Sequence, residues 1–121
     1  MTYHPELGHD TSTGPVSVFV LAEDALAAEG LRSALASDAR IALAERAEDA
    51  AVVLWDFGAS ADRASLAAVS SARARKQAIV ALVPDEQAAA TALHQGALGV
   101  LARRIHAPTL TAAIMAVRFG L

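Results

Sequence analysis

Short apolar runs alternate with alanine-rich segments along this chain, and this alternation limits the possible folds more than any other feature. The runs are rich in β-branched residues and span 16–22, 51–55, 78–83 and, more weakly, 99–102. Strands that are apolar on both faces fit a parallel sheet covered on both sides. Alanine favours helix, and the segments between and after the runs are 25–36, 61–74, 85–95 and 108–118. The pattern predicts an α/β fold with a doubly wound parallel sheet.

Composition narrows the possible functions. The 121 residues suit one domain, and the absence of cysteine excludes disulfides, thiolate metal sites and thiol nucleophiles. The net charge of −3 argues against nucleic-acid binding by this domain itself. No run is long enough to span a membrane and no secretion signal follows Met1, so we expect a cytoplasmic protein without a membrane partner. Residues 1–15 are polar and aperiodic, which predicts a disordered tail before a domain over 16–121.

Acidic residues follow the first two apolar runs. Glu23 and Asp24 come after the first run and Asp56 after the second. If the two strands are neighbours, these carboxylates meet in one pocket, where their repulsion and their hard oxygen atoms suit Mg²⁺. The alternative is structural, with Asp24 capping the first helix and Asp56 beginning a loop.

Four stretches resemble the receiver domains of bacterial response regulators, in the family's order. "VFVLAEDALAAEGLRSALA" is similar to the first strand, acidic pair and first helix, and "EDAAVVLWD" to the strand that ends in the phosphoaccepting aspartate. "TALHQGALGVLARR" resembles the helix, Gly-Ala turn and fifth strand that precede the family's lysine. "PTLTAAIMAVRFGL" resembles the last helix of receivers attached to LuxR-type DNA-binding domains. The resemblance covers residues 16–121 and implies a flavodoxin-like receiver fold of four to five strands.

The resemblance also implies a non-enzymatic signalling function. Glu23, Asp24 and Asp56 would hold Mg²⁺ together with the backbone carbonyl of Gly58. Asp56 would accept a phosphoryl group from a histidine kinase, with the metal neutralising charge. The added charge would then control a homodimer and a DNA-binding output domain.

Several positions depart from the family pattern. Arg103 stands where the family has its phosphoryl-binding lysine, and a planar guanidinium is not equivalent to a compact ammonium. Ala81 falls at the switch Thr or Ser and has no hydroxyl, and Val100 falls at the aromatic switch residue. "DFGASADRA" replaces the usual Met-Pro after Asp56 with a shorter loop.

These departures leave two further functions open. The first is a phosphorylation-independent pseudo-receiver that acts as a protein–protein interaction and dimerisation module through helices 85–95 and 108–118. The second is a flavodoxin-like enzyme or small-molecule binder, which has little support because the sequence contains neither a cofactor loop nor a catalytic set.

The second helix of the family is shortened or missing. "RIALAERAED" resembles the second strand and its exit, but little separates it from "AAVVLWD". Parallel crossovers usually take about a dozen residues or more, whereas residues 45–50 extend at most about 20 Å. We therefore predict a short edge strand near Ile41–Ala44 with an irregular connection, or a helix in place of that strand. Either would leave one sheet face less covered, and apolar surface exposed there would favour a partner.

A basic cluster lies at the end of the second alanine-rich segment. Arg73, Arg75 and Lys76 are close in sequence, and complementation of a helix C-terminus together with solvation accounts for them without a nucleic-acid partner.

Overall fold

The computed structural model describes residues 14–57 and 63–120, which form one parallel sheet with helices on both faces. The strand order is β2-β1-β3-β4-β5. The strands are β1 (Val16–Ala22), β2 (Ile41–Leu43), β3 (Val52–Asp56), β4 (Ala78–Val83) and β5 (Gly99–Ala102). The helices are α1 (Ala25–Ala36), α2 (Arg63–Ala74), α3 (Glu86–His94) and α4 (Ala107–Phe119). The predicted doubly wound α/β fold is confirmed, with five strands.

The element boundaries agree closely with the sequence pattern. The structure confirms β1, β4, β5 and α1 at both ends, and β3 is shifted by one residue so that it includes Asp56. Residues 1–13 of the predicted tail and residues 61 and 62 of the predicted second helix lie outside the described residues. None of the helices in the described ranges combines the length and the apolar character needed to cross a bilayer.

The two faces of the sheet pack as two separate apolar cores. One core joins the sheet to α1 and α4, and its fully buried members include Val18, Leu35 and Ile114. The other joins the sheet to α2 and α3, and Trp55 and Val69 are fully buried in it. Successive residues of a strand point to opposite faces, so a strand with a core on each side must be apolar throughout.

A 3₁₀ turn lies where the receiver resemblance implies a second helix. β2 has three residues, one fewer than predicted, and the turn Ala47–Asp49 leads from it towards β3. The Gln77 side-chain amide donates hydrogen bonds of 2.6 Å to the Ala47 carbonyl and 2.7 Å to the Ala50 carbonyl. The short edge strand with an irregular connection is confirmed, and the alternative of a helix in place of that strand is wrong.

The sheet face beside this turn is less covered than the opposite face, as predicted. Phe19 and Leu21 point to this second face and are half-buried, and Ala42 is exposed, whereas Val18 and Val20 on the other face are 0% and 3% exposed. The large apolar side chains that are exposed in the described residues are Leu26, Leu93 and Leu98, which lie elsewhere. Among residues 14–57 and 63–120, no large apolar side chain on this face is fully exposed.

Candidate functional site

Asp56 lies at the carboxyl edge of the sheet, between two neighbouring strands. In the parallel register Asp56 pairs with Ala22 of β1 and with Leu82 of β4. Functional crevices of open α/β sheets lie at this edge. The side chain of Asp56 is only 6% exposed, because the ends of both neighbouring strands flank it.

Arg103 forms a bidentate ion pair with Asp56. Its Nε lies 3.0 Å from Oδ1 of Asp56, and its second terminal nitrogen lies 3.1 Å from Oδ2. The planar guanidinium matches the carboxylate geometry with two parallel hydrogen bonds, which a lysine cannot do. Arg103 is held there because its own backbone N–H donates 3.1 Å to the Val83 carbonyl, which extends the β4–β5 ladder by one bond. Both Asp56 oxygens are thus paired with a cation that the chain itself supplies.

The predicted meeting of three carboxylates is not found. The Asp24 carboxylate is turned towards α1, where Oδ1 accepts a 3.1 Å hydrogen bond from the Leu26 N–H and caps the helix. Glu23 is exposed, and Gly58 lies outside the described residues. Among residues 14–57 and 63–120, His, Asp and Glu side chains form no group of three that could hold a metal ion. The cap at Asp24 is therefore confirmed, and the Mg²⁺ site stays a prediction.

Ala81 and Val100, which the receiver resemblance assigns to the switch positions, lie next to each other behind the site. Ala81 is fully buried and pairs in register with Trp55 on one side and with Val100 on the other. These positions present only methyl groups and aliphatic carbons to their surroundings, so neither can hydrogen-bond to a group held at Asp56.

Trp55 precedes Asp56 and brings a polar atom into the second core. It is fully buried and lies 5.1 Å from Phe57 between ring centroids. Its indole Nε1 has no hydrogen-bond partner in the described residues. An unpaired buried N–H usually costs about 1–3 kcal/mol.

A small cavity of about 230 Å³ opens beside the ion pair. Its lining comes from α1, β4 and the pair itself: Ala27, Gly30, Leu31, Asp56, Leu82 and Arg103. Sequence reasoning singled out Asp56 and Arg103 but missed their direct contact. The presence of an arginine at position 103 could have predicted this contact, because Arg is the usual partner in a bidentate pair with a carboxylate.

Comparison with solved structures places this arrangement in a known fold. The response regulator ChrA of a heme-sensing two-component system superposes with a TM-score of 0.71 at 20% identity, covering 88% of this chain and 58% of that one. The receiver domain of the putative response regulator NarL from Mycobacterium tuberculosis superposes with a TM-score of 0.68 at 19% identity, covering 88% and 98%. RcsB from Salmonella typhimurium gives 0.67 at 14% identity, covering 88% and 61%.

The chain has the flavodoxin-like fold of response-regulator receiver domains. It spans about the whole of the NarL receiver domain but 58% of the length of the ChrA structure. No family model matches the sequence, and no curated protein matches it.

Proposed function

We propose that this chain is a non-enzymatic, cytoplasmic pseudo-receiver that controls an output domain through protein–protein contacts and does not depend on phosphorylation of Asp56. The ion pair between Asp56 and Arg103 carries this proposal, because it occupies both carboxylate oxygens with a permanent cation. A phosphoryl donor would meet a carboxylate whose charge is already paired and whose two oxygens each accept a hydrogen bond, which lowers their nucleophilicity.

The environment behind the pair supports the same proposal. The receiver resemblance assigns the response to phosphorylation to a hydroxyl and an aromatic residue, whereas this chain has the buried Ala81 and the aliphatic Val100 there. Oδ1 of Asp24 is engaged as the cap of α1, and the carboxylates of the described residues form no group of three that could hold a divalent cation. The module would act as a homodimer, with a DNA-binding output domain attached in the intact protein.

A second candidate is a receiver that a histidine kinase phosphorylates with Mg²⁺ as cofactor. Its support is the position of Asp56 at the carboxyl end of the central strand and the cation that already contacts it. In that reaction an Asp56 oxygen would bond to phosphorus as the bond from phosphorus to the donor's leaving group breaks, and Arg103 would move onto the phosphoryl oxygens.

Intact mass after incubation with Mg²⁺ and acetyl phosphate separates the two candidates. We expect the wild type to remain unmodified, as Asp56→Ala must. Arg103→Lys is the matched variant, because it keeps the positive charge but removes the bidentate hydrogen bonding to Asp56. A phosphoryl adduct on the wild type that is absent from Asp56→Ala would overturn the pseudo-receiver proposal and favour the second candidate.

A further inference from the structure

A second cavity lies at the opposite edge of the sheet from Asp56. It has a volume of about 460 Å³ and lies by the amino ends of β3, β4 and β5. Its lining comes from the turn before β3, the end of α2, the starts of β4 and β5, and the last turn of α4: Ala50, Ala51, Arg75, Lys76, Gln77, Ala78, Leu98, Val117 and Arg118.

All the charged side chains that line this cavity are positively charged. Arg75, Lys76 and Arg118 line it and no carboxylate does, although the whole chain carries a net charge of −3. Arg75 donates a 3.0 Å hydrogen bond to the neutral Gln77 side chain. Arg118 lies 5.3 Å from the Phe119 ring centroid, and Lys76 has no side-chain partner in the described residues.

The electrostatic effect of a helix end explains the presence of each cation by itself, but it does not explain why all three line the same cavity. Arg75 and Lys76 follow the C-terminus of α2 and Arg118 lies in the last turn of α4, where cations complement the partial negative charge of the helix. All three residues are exposed, so that effect applies to each of them as it stands. Two segments more than 40 positions apart in sequence nevertheless place these cations around one open cavity, where their mutual repulsion favours an anionic occupant.

The backbone beneath these cations is held in an uncommon conformation. Lys76 has φ of +62°, the only positive φ of a described non-glycine residue. Its N–H bonds to the Arg73 carbonyl, and the next residue, Gln77, is fixed by its bonds to Ala47 and Ala50. The Gln77 N–H also bonds to the Ala72 carbonyl at 3.0 Å, so Lys76 is the left-handed cap that commonly ends a helix, and the chain leaves α2 with Arg75 and Lys76 in the cavity lining.

The remaining wall is apolar and indicates the kind of ligand. Ala78, Val117 and Leu98 face the same space, and Leu98 is 66% exposed. Small-molecule sites commonly measure about 300–1,000 Å³ and combine an apolar wall with a few placed polar groups. We propose that this cavity binds a small phosphorylated ligand of nucleotide size, with the three cations on its phosphates and the apolar wall against its ring.

Calorimetric titration of the full chain with ADP tests the proposal. Separate titrations with pyrophosphate and with adenosine measure the binding of the phosphate part and of the nucleoside part. We expect ADP to bind more tightly than either part, and the affinity to fall as salt is raised. The double variant Lys76→Glu/Arg118→Glu should weaken ADP binding by at least about tenfold. Arg32→Glu/Arg104→Glu is the matched control, because it makes the same change in net charge at two exposed arginines outside the cavity lining and should leave binding unchanged.

Three results would overturn the proposal. The first is an absence of ADP binding to the wild type. The second is an equal loss of binding in the control variant, which would reduce the effect to net charge. The third is binding of a short DNA duplex without binding of ADP, which would make the cluster a contact for a phosphate backbone. Lys76→Gln/Arg118→Gln repeats the test without charge reversal if the first variant does not fold. None of these outcomes depends on whether Asp56 is phosphorylated, so this proposal and the proposed function fail separately.

Discussion

At the residue scale, the partner of Asp56 is an arginine where the receiver resemblance implies a lysine. Lysine at position 103 would approach a carboxylate as a point charge, whereas Arg103 makes two hydrogen bonds of 3.0 and 3.1 Å in one plane. Asp56 is almost fully buried, so its charge has little water to stabilise it and depends on this partner. We therefore expect the pair to contribute to the stability of the domain, in addition to its role in the proposed pseudo-receiver.

A double-mutant cycle measures this contribution. Arg103→Ala, Asp56→Ala and the double variant should give a coupling energy of about 1–2 kcal/mol, lower than for a fully buried pair because water screens the partly exposed arginine. Urea unfolding monitored by the emission of Trp55, the single tryptophan in the chain, provides the free energies. Arg104→Ala changes the neighbouring exposed charge and should alter the free energy of unfolding by less than about 0.5 kcal/mol. Strict additivity of the two substitutions would contradict the pair's contribution.

At the scale of the elements, sequence was informative wherever local pattern decides the structure. The apolar run 78–83 and the alanine-rich segment 25–36 have the boundaries of β4 and α1 because burial and helix propensity are properties of the segments themselves. Asp24 had two interpretations, and the structure selects the cap because its carboxylate reaches the Leu26 N–H. Contacts across the fold, such as those between Gln77 and the 3₁₀ turn, leave no periodic signal and could not be predicted.

Gln77 holds the turn that replaces a helix. Gln77→Ala removes the hydrogen bonds to the Ala47 and Ala50 carbonyls, so we expect the free energy of unfolding to fall by about 1–2 kcal/mol. Hydrogen exchange should accelerate at the amides of Asp49 and Ala50, which bond within the turn. Gln87→Ala serves as the control, because Gln87 is exposed on α3 and alanine favours helix. Unchanged exchange in Gln77→Ala would show that the turn is stable without its anchor.

The loop between α1 and β2 makes stability depend on pH. Hydrogen bonds from the Arg40 side chain, and then from its backbone N–H, lower the pKa of Asp38 from 3.8 to about 2. A lowered pKa means that the ionised form stabilises the fold above the pKa of the unfolded chain. That stabilisation is lost as the pH falls through the folded value near 2.

Asp38→Asn tests this dependence. Its free energy of unfolding should lie below that of the wild type near neutral pH. The gap should narrow as the pH falls from about 5, above the unfolded pKa of 3.8, through the folded pKa of about 2. Urea unfolding at a series of pH values measures the gap. Glu29→Gln removes the same charge at an exposed residue without a described partner and should show a smaller change. A gap for Asp38→Asn that is constant with pH would contradict the assignment.

At the scale of the whole molecule, the two edges of the sheet carry opposite arrangements of charge. At the carboxyl edge Arg103 is neutralised by Asp56, whereas at the amino edge three cations share a cavity without a carboxylate. The fold holds the two sites at opposite ends of the same strands, so a ligand at one edge does not compete with an event at the other. Any regulation of the proposed homodimer would then have to pass through the helices that cover the sheet.

The last prediction concerns the proposed homodimer. A contact through α3 and α4 should bury the exposed apolar side chain of Leu93 on α3. Leu93 is 55% exposed, and burial of a leucine side chain stabilises a contact by about 1.5–3 kcal/mol. In a two-fold interface the residue occurs twice, so Leu93→Ser should raise the dimer dissociation constant by at least about tenfold. Sedimentation equilibrium over a range of concentrations measures this constant. Leu26→Ser is the matched control, since Leu26 is 80% exposed on α1. An effect of Leu26→Ser without an effect of Leu93→Ser would move the contact to α1, and a wild type that stays monomeric throughout would remove the homodimer from the proposal.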